Sequence, residues 1–124
     1  MVHTLEMRVE IPDNVLAGIM STAFASDYGA CWRWCEPAAD GWLMMAEDEI
    51  KSVTVCDPAD PGTKYIVGWD IIQRGMQNIV HLDRDHSIIG RITEAVFDDD
   101  ADVLDSGDVD TIVQFGLFDK ELYT

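Results

Sequence analysis

Seven aspartates fall within thirteen residues, Asp98, Asp99, Asp100, Asp102, Asp105, Asp108 and Asp110, with no lysine or arginine among them. Carboxylates at that density have few chemical uses: they hold a cation, meet a basic partner, imitate the phosphates of a nucleic acid, or keep a surface hydrated. A calcium loop fails on register. Counting from Asp98 puts carboxylates at the first three ligand positions, but Val103 falls where the glycine belongs and Val109 where the closing glutamate belongs. Counting from Asp102 places Gly107 correctly and makes Leu104 the second ligand. No metal ligand is assigned, although hard cations accept irregular oxygen cages. As a phosphate mimic, Asp98, Asp102, Asp105 and Asp108 recur at spacings that a helix would hold about 5–6 Å apart. Aspartate is a poor helix former and Gly107 marks a turn, so the simplest local reading is a solvated connection whose aspartates cap the last helix.

Cys31, Cys35 and Cys56 with His81 and His86 could be assembled into a zinc site. The CxxxC spacing lacks a second pair, and between Trp32 and Trp34 small buried hydrophobes are the simpler reading. The chain has no nucleophile elbow, His-Glu-x-x-His helix or phosphate-cradling Gly-Lys-Ser/Thr loop, and nothing pairs His3, His81 or His86 with a nucleophile. It is therefore expected to be non-enzymatic, with no cofactor. Tryptophan is frequent, at positions 32, 34, 42 and 69. Trp32 and Trp34 could stack a base while Arg33, Arg74 or Arg91 holds a phosphate.

The acidity extends beyond the run. In 124 residues, 24 Asp and Glu against 8 Lys and Arg give a net charge of −16, and removing the run's seven charges still leaves −9. Such a field repels nucleic acid and anionic membranes, so direct binding to either is not expected. Further acidic clusters are Glu47, Asp48 and Glu49; Asp57 and Asp60; and Asp83 and Asp85. The bias towards Asp, 17 against 7 Glu, would also suit a protein adapted to high salt. An odd cysteine count without a secretory leader or an apolar run of membrane-spanning length points to the cytoplasm.

The elements that must position these residues read as α+β. Residues 5 to 11 alternate apolar and charged, as a half-buried strand does, until Pro12 and Asp13 stop them. Val15, Leu16, Ile19, Met20, Ala23 and Phe24 then recur at helical spacing, with Gly29 beyond the end. Between residues 30 and 67, four short aromatic and β-branched segments (31–34, 42–45, 52–55 and 64–67) predict a small antiparallel meander. Ile72, Met76, Ile79 and Val80 predict a second helix from Trp69, in which Gly75 permits close packing against a neighbour. Ile88, Ile89, Ile92 and Val96 predict a third helix starting near Asp85, and Val109, Ile112, Val113 and Leu117 a fourth. The expected architecture is a single domain, residues 1–124, with a small antiparallel sheet packed on three to four helices.

Several motifs together resemble a family of small uncharacterised proteins of actinobacteria, phages and prophages. They are Thr22-Ala23 at the end of the first helix, the turn Tyr28-Gly29 leading to Trp32-Arg33-Trp34, and Gly75 in Gln73-Arg74-Gly75-Met76-Gln77. The closing segment matches too, from Asp108-Val109-Asp110 through Gln114-Phe115-Gly116 to Tyr123. The chain departs from the family pattern at Asp119-Lys120, at Thr124 and in its Trp-Arg-Trp. The resemblance implies a mobile-element accessory protein and carries no mechanism.

Charge, missing catalytic motifs and resemblance lead to one expectation: an acidic phage-type protein that inhibits a basic, nucleic-acid-binding host defence protein by occupying its surface. Asp98, Asp99, Asp100, Asp102 and Asp105 are the candidate contacts, with Glu47, Asp48 and Glu49 as a second patch, in the cytoplasm of the host cell. A sponge for a cyclic nucleotide, using Trp32, Arg33, Trp34, Arg74 and Arg91, is the alternative. A salt-adapted housekeeping domain is a third, and a second copy of the chain stays open as a further partner.

Overall fold

The computed structural model describes residues 10–25, 29–44, 50–82 and 86–123, with side chains except at 39–44, 50, 51 and 61. Helix α1 (Asp13–Phe24) leads into a 3₁₀ turn (Ala30–Arg33), three strands, β1 (Glu36–Met44), β2 (Ile50–Asp57) and β3 (Asp60–Gly68), and helices α2 (Trp69–Leu82) and α3 (Ile89–Phe97). A second 3₁₀ turn (Ala101–Val103) precedes α4 (Ser106–Phe118). The fold is α+β, with an antiparallel meander in the order β1-β2-β3 and four helices, as expected.

Alternation along β2 and β3 sends Val53, Val55 and Val67 into the core, where Val53 pairs Val67 and Val55 pairs Tyr65. The β2–β3 hairpin turns on Asp57, whose Oδ1 accepts the Ala59 N–H at 2.8 Å, and on Asp60, whose Oδ2 accepts the Thr63 hydroxyl at 2.7 Å. Short polar side chains that bond nearby backbone stabilise such turns. In α1 all six residues of the apolar stripe are buried, from Val15 to Phe24. Pro12 precedes the helix and its carbonyl accepts the Val15 N–H at 3.0 Å.

Helix α4 is the centre of the molecule: nine consecutive residues, Asp108 to Gly116, are buried. Its crossing with α2 is a reciprocal glycine contact. A Cβ on Gly75 would overlap the Ile112 carbonyl, and one on Gly116 would overlap the Ile71 carbonyl, so each helix approaches the other's backbone through a glycine. The close packing expected of Gly75 has this partner.

Two expectations are corrected. Residues 31–34 form no strand; Ala30–Arg33 is a 3₁₀ turn, because the aromatic enrichment there serves packing. Cys31 and Trp34 are buried, and Trp32 meets Phe24 edge-on with ring centroids 5.1 Å apart. The third helix begins at Ile89, after a turn at His86, and not near Asp85. The strand expected over residues 5–11 falls mostly outside the described residues, and Glu10 and Ile11 are not in a strand.

Candidate partner-binding surface

The structure divides the aspartate run in two. Its second half is consumed by α4. Asp105 is the N-cap: its Oδ1 accepts the Asp108 N–H at 2.8 Å, while Asp108 Oδ2 accepts the Asp105 N–H at 3.2 Å, a reciprocal capping box with Asp in the place usually held by Glu. Asp108, 3% exposed, also takes both arms of Arg91, Nε at 2.8 Å and Nη2 at 2.7 Å. The Arg91 hydrogen bonds, helped by the Asp105 N–H, hold the Asp108 carboxyl below the usual carboxylate range against the opposing effect of burial.

Asp110, 4% exposed, lies two residues on and faces a different set of donors. Its Oδ1 accepts the Trp34 indole N–H at 2.6 Å and the Gln114 amide at 3.2 Å; its Oδ2 accepts Arg33 Nε at 2.6 Å. Gln114, 1% exposed, continues the network into the C-terminal segment. Its Oε1 accepts the N–H groups of Leu122 (2.9 Å) and Tyr123 (2.8 Å), and its Nε2 donates to the Tyr123 carbonyl at 3.0 Å. That carbonyl also accepts from Arg33. The buried Gln114 amide holds Leu122 and Tyr123, and the Thr111 hydroxyl holds Glu121, so residues 121–123 form a strap across α4. The strap is completed by Tyr123, whose ring stacks on Trp34 at 4.9 Å and 6° and whose hydroxyl donates to Asp57 Oδ2 at 2.7 Å. The bond to Asp57, then partial burial, push the Tyr123 phenol up to about 12, while the Tyr123 hydroxyl and the Ala59 N–H hold the Asp57 carboxyl below its ordinary value.

The first half of the run faces outward. Asp98 is the C-cap of α3, its N–H donating to Glu94 O at 2.9 Å. Asp99 follows with φ 50°, and the Asp100 N–H returns to Ala95 O at 3.0 Å. That is a Schellman-type helix end with aspartate in the left-handed position where glycine is usual. Asp100 then caps the 3₁₀ turn through Asp102 N–H at 3.0 Å. The side chains of Asp98, Asp99, Asp100 and Asp102 are exposed, and among the described residues none is in an ion pair. Asp105 is also exposed but serves as the cap of α4. Beside them Glu94 is exposed and Phe97 is 68% exposed. The segment is docked rather than loose, since a Cβ on Gly18 of α1 would stand 2.6 Å from Ala101 Cβ.

Glu47, Asp48 and Glu49 lie outside the described residues. The helical phosphate-like row does not form: Asp98 ends α3, Asp102 is in a 3₁₀ turn, Asp105 is a cap and Asp108 is buried. Of the residues offered for a nucleotide, Arg33 and Trp34 converge on Asp110, while Arg74 and Arg91 meet other aspartates. Each arginine among the described residues already meets an aspartate of α4 or its cap: Arg91 on Asp108, Arg33 on Asp110 and Arg74 on Asp119. At about 1.5 Å per helical residue, Asp110 and Asp119 are roughly 13 Å apart along the axis. Trp34 is covered on one face by Tyr123, and Trp32 packs against Phe24. Arg33, Arg74 and Arg91 are thus each paired with a different aspartate.

Cys31, Cys35 and Cys56 are buried, and Cys35 Sγ donates to the Cys31 carbonyl at 3.1 Å. Burial first, then the nearby Asp110 carboxylate, push the Cys31 thiol far up and the Cys35 thiol up to about 12, so both stay protonated and poorly nucleophilic. Among the described residues no group of three or more His, Cys, Asp or Glu could hold a metal ion, and no helix is long and apolar enough to cross a membrane. The residues that sequence reasoning missed are Asp108, Asp110, Gln114, Tyr123 and Asp57. Two signals were available: the closing motif holds Asp108, Asp110, Gln114 and Tyr123, and Asp110 and Gln114 four apart beside an apolar helical stripe lie on one face. No protein-family model, curated protein or solved structure matches this chain.

Proposed function

We propose that the chain is a non-enzymatic acidic binding protein of mobile-element origin. It docks its exposed aspartates on the basic, nucleic-acid-binding surface of a host defence protein and keeps nucleic acid from that surface. One observation carries the reading: the fold neutralises Asp108 and Asp110 with arginines, yet leaves Asp98, Asp99, Asp100 and Asp102 exposed and without an ion pair among the described residues. These four surround the C-terminal end of α3, where the helix dipole is negative and the last turn carries no basic residue. Carboxylates there are disfavoured by about 0.3–1 kcal/mol each within the fold. A partner's lysine or arginine would be attracted by carboxylates and helix carbonyls together. Phe97, exposed in their midst, supplies the apolar anchor that charged interfaces need for affinity.

The test compares the full chain with a variant carrying Asp98→Asn, Asp99→Asn, Asp100→Asn and Asp102→Asn. At low salt the parent chain should retain a nucleic-acid-processing host protein, duplex DNA should displace it, and the variant should retain at least tenfold less. Retention that is the same for both chains, or indifferent to DNA, would sink the proposal.

A further inference from the structure

His86 stands in the connection leading into α3 and touches three elements. Its Nδ1 accepts the Ile88 N–H at 3.3 Å and its carbonyl accepts the Ile89 N–H at 3.2 Å, so ring and backbone both hold the start of α3. The ring meets Phe115 of α4 edge-on, with centroids 5.9 Å apart and planes at 86°. Nε2 faces Glu121 Oε1 of the strap at 3.8 Å, the same oxygen that accepts the Thr111 hydroxyl at 2.5 Å.

These contacts fix where protons can sit. A ring nitrogen that accepts an N–H carries no proton, so the neutral ring bears its proton on Nε2, towards Glu121. A second proton can bind only at Nδ1, where it confronts the Ile88 N–H donor to donor. It also places positive charge beside the N-terminus of α3, where the dipole disfavours it. The same charge draws Glu121 and with it the strap.

We propose that His86 is a proton-operated switch that exchanges the bond at the start of α3 for a tighter hold on the C-terminal strap. Two further charged groups belong to the elements packed against the ring. They are the Asp108 carboxylate on α4, which feels the charge of His86, and Arg91 on α3, which is bound to that carboxylate. Arg84 and Asp85, its neighbours in the chain, lie outside the described residues. The switch is independent of whatever the acidic surface binds.

Amide hydrogen exchange of the full chain, followed by NMR from pH 5 to 8 and corrected for intrinsic rates, tests it. On acidification the protection of the Ile88 amide should fall about fivefold, the worth of one hydrogen bond. Protection of Leu122 and Tyr123 should rise, and all three should follow the titration of the His86 ring. His86→Asn, whose Oδ1 stands where Nδ1 does, should keep Ile88 protected at every pH, and Glu121→Gln should abolish only the response of the strap. If Ile88 and Tyr123 stay constant while His86 titrates, or change equally in His86→Asn, the switch is overturned.

Discussion

The Trp34 indole N–H and Asp110 Oδ1, 76 residues apart in sequence, meet at 2.6 Å in the buried interior and join the first 3₁₀ turn to the central helix. Asp110 collects four bonds from Trp34, Arg33 and Gln114, counting the Arg33 Nη2 contact at 2.5 Å, so deleting its carboxylate strands several donors at once. Asp110→Ala should cost about 2–4 kcal/mol, scaled down from a fully buried pair because Arg33 is half exposed. Urea denaturation checks this; a loss below about 1 kcal/mol would mean that water replaces the network.

The glycines of α2 and α3 should respond with opposite signs. Alanine normally stabilises a helix interior by about 1 kcal/mol over glycine. At Gly75 the added methyl meets the Ile112 backbone, which cannot yield as a side chain would, so Gly75→Ala should destabilise by about 2 kcal/mol or more. At Gly90 a Cβ meets nothing within 4 Å, so Gly90→Ala should be neutral or stabilising. Melting temperatures of the two variants that shift in the same direction would contradict the α2–α4 contact.

Asp108 makes stability depend on acid. Its folded pKa lies below the unfolded value, so its contribution is fully present above the unfolded carboxylate range near about pH 4 and is lost as pH falls through the lower folded value. Asp108→Asn should be less stable than the parent at pH 7, and the difference should shrink towards pH 2. A gap that holds constant over that range would place the effect elsewhere.

Tyr123 should act at the alkaline end. Its folded pKa is raised to about 12, so the stability it brings is complete below the unfolded value near 10 and is lost as pH rises from there to about 12. Tyr123→Phe should remove that part of the decline while retaining the stack on Trp34. Denaturation curves at pH 9 and pH 11 give the comparison, and equal losses in both chains would exclude the Tyr123–Asp57 bond as the cause.

Local pattern carried much of the architecture. Val15 to Phe24, and Ile72, Met76 and Ile79, show helical periods because one face of each helix is buried, and Gly75 announced a close approach because little else explains a glycine there. Capping of the last helix by aspartates of the run was legible as well, but which of them would be buried and paired had no such trace. Asp108 and Asp110 resemble Asp98 and Asp100 in type, and their fates are decided by arginines 17 and 77 residues away that only the folded chain brings near. Trp34 misled for the same reason: its aromatic character suits a strand, but its indole N–H needed an acceptor, and Asp110 is offered by a helix from the other end of the chain.

The seating of Ala101 against Gly18 bears on the acidic segment in one more way. A charged tail free in solvent must be ordered before it can be gripped, at a cost of about 1–2 kcal/mol per residue in backbone entropy. Here α1 has already immobilised the turn that carries Asp100 and Asp102, so whatever meets these carboxylates finds them in place. Widening that seam, with a Gly18→Ser change that pushes Ala101 away, would return the ordering cost to the encounter and leave every charge untouched.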